Sequence, residues 1–165
     1  QSRDRGCAGL RNVRLAGLAD AGNLSILHRG AFAEGWSVDD FANWLSRPEG
    51  FAVLASCERE ALAFGLALAA GDDAEMLTIA TCSAARRTGL GRKVFHALDA
   101  EAQRRGLRRW VLEVARNNPP ALGFYQSEGF VEIAVRKAYY VQTADRADAL
   151  VLARPVGLVG RHTGA

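Results

Sequence analysis

Cysteine is scarce: Cys7, Cys57 and Cys82 are the three in a chain of 165 residues, they are widely spaced, and no two form a C-x-x-C pair. That spacing suggests neither a disulfide framework nor a zinc site, and it fits a reducing cytoplasm. Long apolar runs are missing as well. The longest, "ALAFGLALAA" at residues 61–70, is about half of the ~20 residues that a membrane-crossing helix needs, and the first residues lack the apolar core of a signal peptide. The expectation is a soluble protein without a membrane anchor. Nor is there a large charge of either sign, since the net value of +3 admits an anionic ligand without calling for nucleic acid. Internal repeats are absent, and no low-complexity tract stands out beyond a surplus of alanine. What is present is 49% hydrophobic and 24% charged residues, a mixture that can bury a core, in a length that suits one domain of ~100 to 200 residues.

The apolar periodicity changes along the chain. "LRNVRLA" reads as a strand, residues 18–32 carry apolar positions at helical spacing, and Ser37 with Asp40 three residues later has the form of a capping box that opens a second helix, stopped by Pro48 and Gly50. "FAVLASC", "ALAFGLALA" and "DAEMLTIAT" then read as three strands, the first two joined by the charged turn "ERE". Residues 89–106 turn helical again, with Leu90, Val94, Phe95, Leu98 and Ala102 on one stripe and Gly106 as C-cap. A strand "RRWVLEVA", a short helix "PPALGFYQSEG" and two closing strands, "VEIAVRKAYYV" and "ADALVLARPV", complete the order. This is an α+β pattern with one mixed sheet and helices on both faces.

Between the third strand and the long helix stands "RRTGLG", residues 86–91. A helix N-terminus exposes unpaired N–H groups and the positive end of its dipole, so glycines that let a ligand approach the backbone there make an anion site. A solvated turn that merely carries glycine and arginine is the plainer alternative. The third glycine of a dinucleotide fingerprint is missing, as is the G-x-x-x-x-G-K-S/T of a nucleoside triphosphate loop. What remains is R-x-x-G-x-G between an apolar strand and an amphipathic helix.

That arrangement resembles motif A of the GCN5-related N-acetyltransferase (GNAT) superfamily, whose usual form is Q/R-x-x-G-x-G/A. The "LTIA" before it, "LEVARNNPPALGFYQSEGF" after it, "KAYY", "DALVL" and the "FAEGWSVDDF" of the amino-terminal half are similar to the ribosomal-protein-alanine N-acetyltransferases (RimI) over about residues 10–156. The resemblance implies a GNAT fold, a single mixed central sheet of about six to seven strands flanked by about four helices, in one domain over 1–165 with flexible ends. It implies acetyl-CoA as acetyl donor and no metal. The cofactor would be held by Ile79, Ala80 and Thr81, by Arg86, Arg87, Thr88, Gly89, Leu90, Gly91 and Arg92, and by Asn118, which from its position also reads as an N-cap. The strand backbone at residues 79–81 would face the pantetheine arm and the developing oxyanion. The implied acceptor is the N-terminal alanine of a small-subunit ribosomal protein, with Trp36, Tyr139 and Tyr140 near the peptide groove, in the cytoplasm.

Strand alternation puts Val111, Glu113 and Ala115 on one face. A strand lying between two helices is covered on both faces, so Glu113 is expected to look into a cavity, a strand-end glutamate in solvent being the alternative. By resemblance Glu113 matches the family's proton acceptor and Tyr125 its proton donor. The chemistry needs both: an α-amine with a pKa of ~8 must lose a proton before it attacks a thioester, and the departing thiolate must gain one. From its spacing alone Tyr125 reads equally as an aromatic packed beside Leu122 and Phe124.

The chain also departs from the family pattern at Thr81, Cys82 and Ser83, at Ala115, and at Pro119 and Pro120. Cys82 has no histidine near it in sequence to make it a nucleophile, and His28 and His96 read as structural. Eight basic and two acidic residues between Arg86 and Arg109 invite an RNA reading, against which stands the lack of interleaved aromatics. A noncatalytic acyl-CoA-binding module would not need both Glu113 and Tyr125. Within the enzyme reading, a small-molecule amine or another peptide N-terminus stays open as acceptor.

Overall fold

In a computed structural model of the protein, residues 11–137 and 148–157 are described. Among them the order is β1 (Arg11–Ala16), α1 (Ala21–Ala31), α2 (Val38–Leu45), β2 (Gly50–Cys57), β3 (Glu60–Ala70), β4 (Asp73–Thr81), α3 (Leu90–Arg104), β5 (Arg109–Ala115), α4 (Pro119–Ser127), β6 (Val131–Arg136) and β7 (Ala149–Pro155). Short 3-10 turns, Leu18–Asp20 and Ser83–Ala85, lead into α1 and follow β4. The seven strands form one mixed sheet in the order β1-β2-β3-β4-β5-β7-β6, antiparallel throughout except where β4 meets β5. Both the order and the α+β class are those expected from the periodicities. The expected sixth strand ends at Arg136 within the described residues, and residues 138–147 lie outside them.

Local signals explain the element ends. At α2 the Ser37 hydroxyl accepts from the Asp40 N–H at 3.1 Å while the Asp40 carboxylate accepts from the Ser37 N–H at 2.8 Å, a reciprocal cap. α3 runs out at Gly106 and α4 at Gly129, with φ of 76° and 88°, a backbone region that glycine enters without a Cβ penalty. The Asn118 side chain caps α4 by accepting from the Ala121 N–H at 3.3 Å.

Two apolar layers sandwich the first part of the sheet. Leu24 and Leu27 of α1 and Phe41 of α2 pack on Ala52, Leu54, Phe64, Leu66 and Ala80. On the opposite face Leu90, Val94, Phe95, Leu98 and Ala102 of α3 and Tyr125 of α4 pack on Val53, Trp110, Leu112, Leu150 and Leu152. Each fully buried Leu, Val or Phe among them contributes about 1.5–3 kcal/mol. The first layer stops at β4. Among the described residues no helical core covers that face of β5, β7 and β6: β6 is exposed along its whole length and Val131 is 62% exposed. The expectation that β5 is covered on both faces is therefore corrected. Cys57, buried at the end of β2, is disulfide-bonded, which its spacing did not suggest.

A buried polar cluster ties α3 to β5 and β7. Asp99 is fully buried and Arg154 buried, the Asp99 carboxylate accepts from the Trp110 indole N–H at 2.8 Å and the Gly157 N–H at 3.0 Å, and Arg154 donates to the Glu128 carbonyl at 2.7 Å. Arg154 Nη2 lies 3.5 Å from Asp99 Oδ2, and its guanidinium stacks over Phe95 at 5.1 Å. Removing one partner strands a buried charge, so Asp99→Ala is expected to lower unfolding free energy by about 3–5 kcal/mol. Urea unfolding checks this, and a loss below about 1 kcal/mol would be the value of an exposed pair instead.

Candidate active site

β4 and β5 part company. Their parallel ladder covers Asp73–Arg109, Ala74–Trp110 and Glu75–Val111, whereas β3 follows β4 up to Thr81 and β7 follows β5 up to Ala115. A bulge starts the divergence: Leu66 opposes Thr78 and Ala67 opposes Met76, so Leu77 has no partner on β3 and bends the strand. Beyond it the facing edges of the two strands have no ladder between them. Backbone N–H and C=O groups left this way call for water or a ligand.

A cleft of about 880 Å³ occupies the gap, within the range usual for small-molecule sites. Its walls include residues 77–81 of β4 and 113–115 of β5, with Glu113 among them, Asn118, Ala121, Phe124 and Tyr125 around α4, and His28, Phe32, Glu34 and Trp36 at the end of α1 and beyond it. Arg86, Arg87, Gly89, Leu90, Gly91 and Arg92 line the mouth. Of the residues singled out from the sequence, Ile79, Ala80, Thr81, Arg86, Arg87, Gly89, Leu90, Gly91, Arg92, Asn118, Trp36, Glu113 and Tyr125 thus come together. Thr88 is not in the lining; its hydroxyl donates to the Ala85 carbonyl at 2.6 Å and braces the loop. Tyr139 and Tyr140 lie outside the described residues.

The mouth is built to expose backbone donors. The N–H of Lys93 makes the first bond of α3, to the Gly89 carbonyl at 3.2 Å, so the preceding N–H groups have no partner within the helix. Arg87 and Gly89 both take left-handed backbone, with φ of 63° and 77°, a succession that gathers N–H groups into a concave nest. A Cβ at Gly91 would make only ordinary contacts, 3.7 Å to the Thr81 hydroxyl and 3.8 Å to Phe124. The fold tolerates a side chain there, so the glycine leaves space on the cleft side.

Glu113 and Tyr125 reach the gap from opposite faces of the sheet. Tyr125 belongs to the α3–α4 layer, 5.4 Å from Phe130 between ring centres, and is 8% exposed. Burial pushes its phenol up to about 12, so the proton stays on oxygen at neutral pH. Glu113 sits on the uncovered face. Its side chain is 44% exposed and its Oε1 lies 3.1 Å from Arg136 Nη1, which corrects the expectation of an enclosed acid: the carboxylate lines the cleft but is wet and ion-paired. Such an exposed pair is worth about 0–1 kcal/mol, little enough for a cation entering the cleft to displace.

His28 is buried, its Nδ1 accepts from the Trp36 N–H at 2.9 Å, and burial pushes its imidazole below the ordinary value. It stacks on Trp36 with centroids 4.9 Å apart and so fixes the α1–α2 wall of the cleft. His96 and Arg92 both turn to Glu128, at 2.9 and 2.7 Å. Arg104 and Arg105 pair with Glu101, and Arg109 with Asp73. Much of the basic run is thus engaged within the molecule. Alternation pointed to Glu113, and the quoted segments "FAEGWSVDDF" and "LTIA" contain Phe32, Glu34, Leu77 and Thr78, but nothing local marked these four as lining residues or Arg136 as the partner of Glu113, because that depends on which segments meet in the fold.

Residues 23–130 match the Acetyltransferase (GNAT) family. The ribosomal protein bS18-alanine N-acetyltransferase of Escherichia coli (strain K12) is 35% identical over 96 residues, 58% of this chain and 65% of that relative's length. The putative ribosomal protein bS18-alanine N-acetyltransferase of Bacillus subtilis (strain 168) is 27% identical over 146 residues, 88% of this chain and 93% of the relative. The crystal structure of the ribosomal-protein-S18-alanine N-acetyltransferase from Escherichia coli superposes with a TM-score of 0.80 at 27% identity, over 93% of this chain and 98% of that one. Ard1 from Thermoplasma volcanium, at 20% identity and a TM-score of 0.75, shares the fold. With strands that part beside a helix N-terminus and a sequence match covering well over half its length, this chain belongs to the acetyltransferase (GNAT) family.

Proposed function

We propose that the chain is an acetyl-CoA-dependent N-acetyltransferase whose acceptor is a peptide N-terminal α-amine, the N-terminal alanine of a small-subunit ribosomal protein being the favoured case. About residues 10–156 make up its single domain. One observation carries the reading: a carboxylate and a protonated phenol line one cleft from opposite faces of the sheet, beside a helix N-terminus with free backbone donors. The similarity to the bS18-alanine N-acetyltransferases supports the choice of acceptor.

The donor fits the residues present. A diphosphate suits the N–H nest at Gly89–Arg92, with Arg86, Arg87 and Arg92 supplying positive charge at the rim. The unpaired edge of β4 suits the amides of a pantetheine arm, as an added strand would. Acetyl-CoA supplies an acyl group on a good leaving sulfur.

The chain's own residues handle the protons. An α-amine with a pKa of ~8 arrives mostly as ammonium. Glu113 takes one proton, directly or through a water, and the freed lone pair forms the N–C bond as the C–S bond breaks. Tyr125 donates its proton to the departing sulfur, the acylated nitrogen sheds its second proton to water, and the phenolate is reprotonated from solvent. The proton on Glu113 also returns to water, so the sum is acetylated amine, free thiol and one released proton. Direct transfer from one face of the sheet to the other needs no covalent enzyme intermediate, and Cys82 has no part in it.

Mass spectrometry after incubation with acetyl-CoA, using peptides that begin with alanine, serine or lysine, is expected to show acetylation at the terminus with alanine preferred. No transfer to any amine would overturn the reading. Glu113→Gln and Tyr125→Phe are each expected to lower kcat by about 10²–10⁴-fold with acetyl-CoA affinity kept, and full turnover in both would remove the assigned roles. Gly91→Ala places a better helix former in α3, so its melting temperature is expected to hold or rise while calorimetric affinity for CoA falls at least tenfold. Equal affinity would mean that the ligand does not approach this backbone. The Tyr125 phenolate, read as the ultraviolet difference between wild type and Tyr125→Phe, is expected to titrate near 12 instead of 10. Because the folded value lies above the ordinary one, the associated stability is full below pH 10 and is lost as pH rises toward 12.

A further inference from the structure

Among the described residues, the Thr78 hydroxyl is the buried side-chain polar atom without a hydrogen-bond partner. Thr78 is 7% exposed and lines the cleft. An unpaired buried hydroxyl costs about 1–3 kcal/mol, so its presence in a binding cleft points to a group that arrives there.

The strand register says where it stands. Glu75 is level with Val111 on β5. The ladder ends there; beyond it Leu77 is the bulged residue of β4, and Thr78 on β4 and Glu113 on β5 line the gap from its two sides. The bulge also decides the face. Thr78 opposes Leu66, whose side chain lies in the α1–α2 layer, and Glu113 shares the face of Val111 and Glu75. Without Leu77 as an extra residue, Thr78 would point toward α3. The bulge therefore turns the hydroxyl to the same face of the sheet as the carboxylate, both lining the cleft, on the face opposite to Tyr125.

We infer that Thr78 is a positioning residue for the acceptor: its hydroxyl oxygen accepts an N–H of the incoming primary amine while Glu113 takes a proton from the same nitrogen. An ammonium has three hydrogens, and two acceptors on either side of the gap hold the nitrogen over it. After deprotonation, the remaining contact to Thr78 limits rotation of the neutral amine before it attacks. This inference rests on the N-acetyltransferase reading above. No covalent bond to Thr78 forms, and its own proton stays in place.

The test compares wild type, Thr78→Val and Thr78→Ser in four measurements: initial rates with an alanine-initiated hexapeptide, calorimetric affinity of that peptide for the CoA-bound protein, affinity for CoA alone, and thermal melting. Valine keeps the shape and removes the hydroxyl. Thr78→Val is expected to lower kcat/KM about tenfold and to weaken peptide affinity, with CoA affinity unchanged and melting temperature unchanged or higher. Thr78→Ser is expected to stay within about threefold of wild type, since it restores the oxygen. Wild-type kcat/KM and peptide affinity in Thr78→Val would overturn the inference, as would an equal loss of CoA affinity. If wild type itself transfers no acetyl group, the functional reading fails, and peptide affinity alone still decides whether Thr78 touches an acceptor.

Discussion

The parting of β4 from β5 is the constraint on which the rest of the molecule depends. A parallel ladder that ends after Glu75 and Val111 leaves two strand edges with unmet backbone groups, and a closed core cannot accommodate that. The consequence is a cleft that passes through the sheet, open to both faces. The proposed reaction, in which an amine enters on one side and a thiolate leaves on the other, fits such a passage. The carboxylate of β5 stands on one side and the phenol of α4 on the other, so in that proposal proton removal and proton delivery do not compete for the same space.

A splayed sheet must be held at its root. Trp110 pairs with Ala74 on one side and Arg154 on the other, close to where the two strands separate, and its indole N–H is bonded to Asp99 in the middle of α3. From Asp99 the polar contacts continue through Arg154 to the carbonyl of Glu128, whose carboxylate holds Arg92 and His96 near the start of α3. One chain of buried and half-buried groups therefore runs from the apex of the opening to its mouth. It fixes α3 in both position and roll, and the direction of the exposed N–H groups at Gly89–Arg92 follows from that. Buried polar groups of this kind add little net stability over apolar packing, but they penalise displaced arrangements heavily.

The candidate site is most legible in the sequence where chemistry and local geometry coincide. Gly89 needs left-handed backbone at the helix start, Asn118 caps α4, and both lie within a few residues of what they serve. Glu113 was legible as the odd residue of an apolar strand. Its surroundings were not: helical cover on both faces was expected, yet α1 and α2 stop at β4 and the carboxylate meets Arg136 across β7. Thr78 sits in the quoted "LTIA" segment without any feature that marks it, because its orientation is set by an unpaired residue next to it.

By itself the amino-acid sequence determined the identity and order of the elements, their caps, the stripe of α3 and the glycine step before it. These depend on interactions spanning three or four residues, which periodicity and capping chemistry encode directly. Only the tertiary structure decided which strand faces lie bare, where the ladder ends, and which distant groups meet: Trp110 with Asp99, Arg136 with Glu113, Thr78 with the edge of the cleft. Those outcomes follow from strand order, from one bulge and from how far each helix reaches across the sheet. They are properties of packing between segments far apart in the chain, where no short stretch carries the information alone.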